Sequence, residues 1–271
     1  MNPGRRSVFS YKFVEPQLKA LKGLGTRLDL DRKDDLKKAY GTLLGILNTE
    51  MNTTTIHTLV QFYDPPLRCF TFQDYPLAPT LEEYLYILGD EIKDRVYFVS
   101  TKELPKSHLL AEAFHLEKKD VELNLKLKGG THGFTIKFLV EKAIAFSDVG
   151  SWITFNAIFA LLIYGIVLFP SMEDFVDLTS IHIFLSKNLV PTLLADTYYS
   201  IHTRNQNKKG IVVCCVPLLF RWFISHLPNK DNLKWSRRIM SLTANDILWY
   251  SRAYDDVKVI PNCGSFLNMT I

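Results

Sequence analysis

The stretch SWITFNAIFALLIYGIVLFP, residues 151–170, is the longest apolar run of the 271-residue chain and decides its fold class. No charged side chain occurs between Val149 and Met172. A run of this length is either a membrane-spanning helix or the buried central helix of a globular domain. These two interpretations place the protein in different classes, so the flanking sequence has to decide between them.

The flanks favour a core helix. The nearest charges are acidic, with Asp148 before the run and Glu173 after it, whereas membrane helices are oriented by Lys and Arg near their ends. Thr154 and Asn156 would also be costly against lipid without polar partners. We therefore predict a core helix and keep a transmembrane helix at about 151–170 as the alternative. The side chains predicted to be solvent-inaccessible are those of Phe155, Ile158, Phe159, Leu162, Ile163 and Ile166.

The composition is that of an ordered globular chain, with 47% hydrophobic, 22% charged and 13% aromatic residues. Its four cysteines, Cys69, Cys214, Cys215 and Cys263, contain no C-x-x-C pair. This pattern predicts neither a disulfide framework nor a zinc site, and it favours a reducing compartment. We expect an intracellular protein of the nucleus or cytoplasm, with a membrane location as the alternative.

Helical periodicity dominates the rest of the chain. The clearest local motif is a capping box, in which Thr80 begins a helix and Glu83 stands three residues later. Gly89 is suited to the left-handed residue that ends that helix. Another helical face is predicted from Leu36 to Leu47, and the segment Val121–Leu127 fits either a strand or a short helix.

The predicted fold is mainly α: a single helical domain around a buried central apolar helix (about 151–169), with one or two short β-hairpins. Residues 1–30 are expected to form a poorly ordered lead-in and residues 31–265 the helical domain. Residues 266–271 are interpreted as a truncated tail.

Motifs for catalysis or metal binding are weak, and we predict no cofactor, no metal and no enzymatic activity. His108, Glu112 and His115 share one helix face, but a helix-bundle metal site needs a second Glu-x-x-His, which the sequence lacks. Cys214 or Cys215 with His226 could pair a nucleophile with a base. Both cysteines lie in an apolar run, which is more typical of core residues.

Positive charge is concentrated in the C-terminal part. Residues 186–258 contain eleven Lys and Arg against five Asp and Glu, whereas residues 1–185 contain 21 against 23. Tryptophans lie nearby in sequence, and basic residues interleaved with aromatics can contact phosphates and stack on bases. The predicted nucleic-acid contacts are Arg204, Lys208, Lys209, Lys234, Arg237 and Arg238.

Five segments resemble one plant family. They are YGTLLGIL (40–47), LVQFYDPPLRCFTFQDYPLAPTLEEY (59–84), IYGIVLFP (163–170), VPTLLADTYYSIH (190–202) and CCVPLLFRWFISHLP (214–228). Together they are similar to a legume-abundant domain of unknown function, itself similar to the plant mobile domain (aminotransferase-like) of transposon-related proteins. The resemblance covers about residues 30–265.

The resemblance implies a mostly helical domain that travels with transposable elements and occurs in nuclear proteins linked to silencing. It provides no catalytic residues, and no cofactor-binding lysine motif supports the aminotransferase label. The function it implies is a non-enzymatic, transposon-derived interaction module whose partners are nucleic acid or nuclear proteins. The alternatives are a membrane-associated protein and a degenerate element fragment without function.

Overall fold

The computed structural model describes residues 11–89, 103–207, 210–227 and 239–249, and it is mainly helical. The helices are α1 (Lys19–Gly25), α2 (Leu30–Tyr40), α3 (Leu43–Leu47), α4 (Thr53–Val60), α5 (Leu81–Leu88), α6 (Ser107–Phe114), α7 (Lys118–Asn124), α8 (Ile136–Asp148), α9 (Trp152–Ile163), α10 (Leu178–Ser186), α11 (Leu189–Asn207) and α12 (Val216–Ser225). A π-helical segment, Tyr164–Leu168, continues α9, and a 3₁₀ turn covers Ala244–Asp246.

The fold also contains three small β-sheets within the described ranges. The strands are β1 (Tyr11–Phe13), β2 (Tyr63–Asp64), β3 (Cys69–Thr71), β4 (Pro76–Leu77), β5 (Lys126–Lys128), β6 (Thr131–Thr135), β7 (Phe175–Asp177) and β8 (Gly210–Val212). Strands β2–β3–β4 and β5–β6–β7 form antiparallel sheets, and β1 pairs with β8 in parallel. The expectation of one or two hairpins therefore understates the β structure, because pairing of distant strands leaves no local sequence pattern.

The apolar run 151–170 forms α9 and the π-helical segment. Every residue from Thr154 to Leu168 is buried, including the six side chains predicted to be inaccessible. Helix α9 and the π-helical segment that continues it have 12 and 5 residues. Together they are at most about 26 Å long at 1.5 Å per residue, which is shorter than the roughly 30 Å of bilayer hydrocarbon. None of the helices in the described ranges has the length and apolar character that a membrane crossing requires. The transmembrane interpretation of 151–170 is thus not supported.

Within the expected lead-in, residues 11–25 contain β1 and α1. Leu21 and Leu24 of α1 are buried in the same hydrophobic cluster as the rest of the core. Their helical spacing was obscured in the sequence by Gly23 and Gly25, which disfavour helix.

The helix predicted from Leu36 to Leu47 is divided at Gly41. Gly41 adopts a φ of 72°, and a Cβ at this position would lie 2.5 Å from the carbonyl oxygen of Leu88. The backbone N–H of Thr42 donates to that same carbonyl at 2.7 Å, and its hydroxyl donates to Ile87 O at 2.7 Å. The break therefore lets Thr42 bind the last carbonyl groups of α5, which have no partners within their own helix.

The local motif at α5 is confirmed. Thr80 Oγ1 accepts from the N–H of Glu83, and the Glu83 carboxylate accepts from the N–H of Thr80. Gly89 follows in the left-handed conformation. The ambiguous segment Val121–Leu127 contains both predicted elements, since it includes the end of α7 and most of β5.

Candidate functional site

An open cavity of about 1050 Å³ lies between α1, the β5–β6 hairpin, the first turns of α8 and the start of β7. We call it the lysine groove, after the four lysines that line it. Its lining residues are Gln17, Lys19, Ala20, Lys126, Leu127, Lys128, Thr135, Ile136, Lys137, Val140, Glu141, Asp174 and Phe175. Four ammonium groups face two carboxylates, so the lining carries a net charge of +2.

Three separate elements supply the lysines. Lys126 and Lys128 alternate with Leu127 on β5, which places both lysines on one face of the strand. Lys137 lies in the first turn of α8, whose N-cap Thr135 accepts a hydrogen bond from the N–H of Phe138. Lys19 is the first residue of α1. The groove thus exists only when these elements are packed together.

The lysines are held by weak contacts. Lys126 Nζ donates to Leu123 O at 2.8 Å, and Lys128 Nζ donates to the carbonyl of Glu173. Lys137 Nζ lies 3.9 Å from Glu141 Oε1 in a strongly exposed pair. Such exposed pairs contribute little and exchange readily, so most of the positive charge in the groove is not neutralised.

The wall between the lysines is aliphatic. Ile136 and Val140 of α8 are half-buried, and Leu127 is 65% exposed. Phe175 is the aromatic member of the lining, but it is only 1% exposed, and Lys128 Nζ lies 5.7 Å from its ring centroid. The groove can therefore receive an anionic ligand that also has apolar groups.

Of the six residues predicted to contact nucleic acid, Arg204 alone lies within the described part of the chain. Arg204 lies on α11 and is half-buried, and its guanidinium packs over Gly210. Lys208, Lys209, Lys234, Arg237 and Arg238 lie outside the described residues.

A role of His226 as the base for Cys214 or Cys215 is not supported. His226 Nδ1 donates to Leu248 O at 3.0 Å, and its Nε2 lies 2.9 Å from Glu83 Oε1. Burial raises the pKa of the Cys215 thiol to about 12 and that of Cys214 well above its usual value. Thiols that stay protonated are poor nucleophiles, so both cysteines are core residues.

The polar face of α6 does not form a metal site. His115 ends this helix in the left-handed conformation, outside the helical spacing that would align it with His108 and Glu112. Among the described residues, no group of three or more His, Cys, Asp and Glu side chains is placed to hold a metal ion.

The lysine groove could not be predicted from the sequence, because its lysines are far apart along the chain. Its lysines are distributed between residues 19 and 137, within a region whose overall charge is −2. The one local indication was the alternation Lys126-Leu127-Lys128 before Gly129-Gly130, which is typical of an exposed hairpin strand.

Comparisons with known proteins identify a family and leave its activity open. No curated protein and no solved structure matches the chain. A family model, described as Domain of unknown function (DUF7745), matches residues 21–271. This match covers most of α1 and all of β5, β6, α8 and β7, whereas Gln17, Lys19 and Ala20 of the groove precede it. The chain therefore belongs to the DUF7745 family of domains of unknown function.

Proposed function

We propose that the protein is a non-enzymatic interaction module that binds a polyanionic partner through the lysine groove. The observation that carries this proposal is the convergence of Lys19, Lys126, Lys128 and Lys137 on one open cavity with few neutralising carboxylates. A cavity of this size with an aliphatic wall and a few polar groups is suited to ligand binding. The positive potential would attract an anionic partner from a distance.

The test is a titration of the protein with labelled polyglutamate, single-stranded DNA and duplex DNA at about 50 and about 200 mM salt. We expect at least one of them to bind, with an affinity that falls as salt rises. The variant with Lys19→Gln, Lys126→Gln, Lys128→Gln and Lys137→Gln should bind about tenfold more weakly or worse, since each lost contact removes counterion release.

A matched control makes the same change in net charge at four lysines outside the groove. Lys33, Lys37, Lys38 and Lys187 are exposed and lie outside the groove. Their replacement by glutamine should leave the affinity near that of the wild type. Equal losses in both variants, or binding of none of the three polyanions, would refute the proposal.

A second candidate function is nucleic-acid contact by the C-terminal basic residues. The supporting observation is the charge surplus of residues 186–258. If this surface binds DNA or RNA, glutamine at Arg204, Lys208, Lys209, Lys234, Arg237 and Arg238 should reduce the salt dependence of binding. A slope unchanged by these substitutions would exclude the surface.

The family resemblance supports three finer proposals. We propose that the domain is related to the plant mobile domain, derives from a transposable element and acts in the nucleus. A fluorescent fusion that stays outside plant nuclei would contradict the last point. We further propose that residues 151–169 are the central helix of the family fold, which is supported by the burial of every residue from Thr154 to Leu168.

A further inference from the structure

We propose that the lysine groove binds an acidic polypeptide segment in extended conformation, which adds as a strand to the free edge of β5. This inference rests on the proposed function and names the class of its partner. Strand addition of this kind provides affinity through main-chain hydrogen bonds and specificity through alternating side chains.

The geometry of β5 leaves one of its edges available to a further strand. It is an edge strand, paired with β6 and with no other strand in the described ranges. Lys128 is opposite Thr131, Lys126 is opposite Gly133, and the two residues between the strands, Gly129 and Gly130, have φ values of 59° and 81°. These are the positive values of a type I′ hairpin.

The register between β5 and β6 determines which backbone groups of β5 do not bond to β6. The residues that flank a two-residue hairpin loop exchange both backbone hydrogen bonds, and the pairs alternate from there. Lys128 and Lys126 therefore bond to β6, while the N–H and C=O of Leu127 point away from it. Leu127 is 65% exposed, so its backbone edge can be reached by a further strand.

The side chains along this edge combine positive charge with an aliphatic surface. Lys126 and Lys128 project from one face of β5, and Lys137 lines the same cavity from α8. Ile136 and Val140 provide an aliphatic wall beside them. An added strand that alternates carboxylate and apolar side chains would place its carboxylates on the lysine face and its apolar side chains on the opposite face, where Leu127 is exposed.

The lining of the groove favours a polypeptide over nucleic acid. Single-stranded nucleic acid is bound by aromatic side chains on which successive bases stack. Phe175 is 1% exposed and lies below the ammonium group of Lys128. No other aromatic side chain lines the cavity within the described part of the chain, so stacking contributes nothing here.

The experiment uses the full chain and a labelled peptide of about eight alternating Glu and Leu residues, a length that spans a typical strand. A second peptide with the same sequence carries N-methyl groups on alternate amides, which removes its strand hydrogen bonds and keeps its charge. We expect the unmethylated peptide to bind, with protection of the Leu127 amide from hydrogen exchange. The methylated peptide should bind at least about tenfold more weakly.

A variant of the protein tests the same edge of β5 by changing the protein and not the peptide. Leu127→Pro removes the outward N–H at a position where an edge strand tolerates proline, and it should weaken binding to a similar extent. Leu127→Thr is the matched control and keeps the amide. If Leu127→Pro disturbs the hairpin, the methylated peptide still decides the question on the wild-type chain.

The outcomes separate this inference from the proposed function. Equal binding of both peptides would overturn strand addition and leave anion binding intact. Lysine-dependent binding of DNA without binding of either peptide would overturn the partner class alone. If the four Lys→Gln substitutions in the groove affect no polyanion, both proposals fail.

Discussion

At the scale of single residues, Glu83 shows how a sequence motif and a distant contact combine. Its Oε2 accepts from the N–H of Thr80 at 2.8 Å and from Trp222 Nε1 at 2.8 Å, while Oε1 faces the ring of His226. The capping contact could be predicted from the local sequence. The contacts with Trp222 and His226 could not, because about 140 residues separate them from Glu83 along the chain.

Glu83 should make the protein sensitive to acid. Burial alone would raise the pKa of its carboxyl, but hydrogen bonds and charge from His226, with those from Thr80 and Trp222, hold it below the usual 4.5. A lowered pKa means that the unfolded chain takes up the proton more readily. The stabilisation is therefore complete above about pH 4.5 and is lost as the pH falls through the folded-state pKa.

Urea unfolding between about pH 3 and pH 7 measures this dependence. Glu83→Gln should lower stability at neutral pH and flatten the decline in acid, whereas Glu82→Gln should preserve the wild-type profile. A Glu83→Gln variant with an unchanged decline would show that other carboxylates cause it.

Asp196 should have the opposite effect over a higher pH range. This carboxyl lies on α11, and burial raises its pKa to about 7. The folded protein then holds a proton that the unfolded chain releases, so stability decreases as the pH rises from about 4 to about 7. Asp196→Asn should remove this decrease in urea midpoints, and a variant that retains the full slope would contradict the assignment.

At the scale of elements, Gly165 controls how the π-helical segment meets β7. A Cβ at this position would lie 2.7–2.9 Å from all three side-chain carbons of Val176. Gly→Ala in an exposed helix stabilises, but here the added methyl overpacks a buried contact and should cost about 1–3 kcal/mol.

The compensating change is in the partner strand. Val176→Ala should restore much of the stability of Gly165→Ala, because it removes the two methyl groups that the new Cβ meets. Chemical denaturation of the two single variants and the double variant forms a complete mutant cycle. Additive losses without coupling would show that the two sites do not share this contact.

Helix caps could be predicted from the local sequence, whereas a helix break caused by a distant contact could not. The capping box of α5 and the Asp177 cap of α10 follow local rules, and both are present. The break between α2 and α3 is not local, since Gly41 adopts its conformation to bring Thr42 to the end of α5. A periodicity that continues through Gly41 cannot reveal its contact with a helix end located 47 residues later.

At the scale of the whole molecule, one hydrophobic cluster runs from Tyr11 in β1 to Ile247 after the 3₁₀ turn. The prediction of a single domain therefore has a direct test. Thermal unfolding followed by tryptophan fluorescence and by far-UV circular dichroism should give coincident transitions. Two separated transitions would instead show that the chain contains two parts that unfold independently.

The whole molecule also explains why the lysine groove escaped prediction. Mainly helical class and apolar core follow from composition and periodicity, which are properties of each segment. The groove depends on where α1, β5 and α8 come to lie in three dimensions, and no segment carries that information alone. The net charge of residues 1–185 is −2, so the four lysines of the groove are not visible as an excess of positive charge in the sequence.

The parallel pair β1–β8 has a consequence for how the protein is made. Tyr11 is opposite Gly210 and Phe13 is opposite Val212, so β1 cannot pair with β8 until nearly 200 further residues have been synthesised. At typical rates of about 5–20 residues per second, this delay is roughly 10–40 s. During that interval Tyr11, which is 2% exposed in the finished fold, remains available to chaperones on the ribosome. The pairing of β1 with β8 is therefore a late step of folding, which follows the synthesis of residues 210–212.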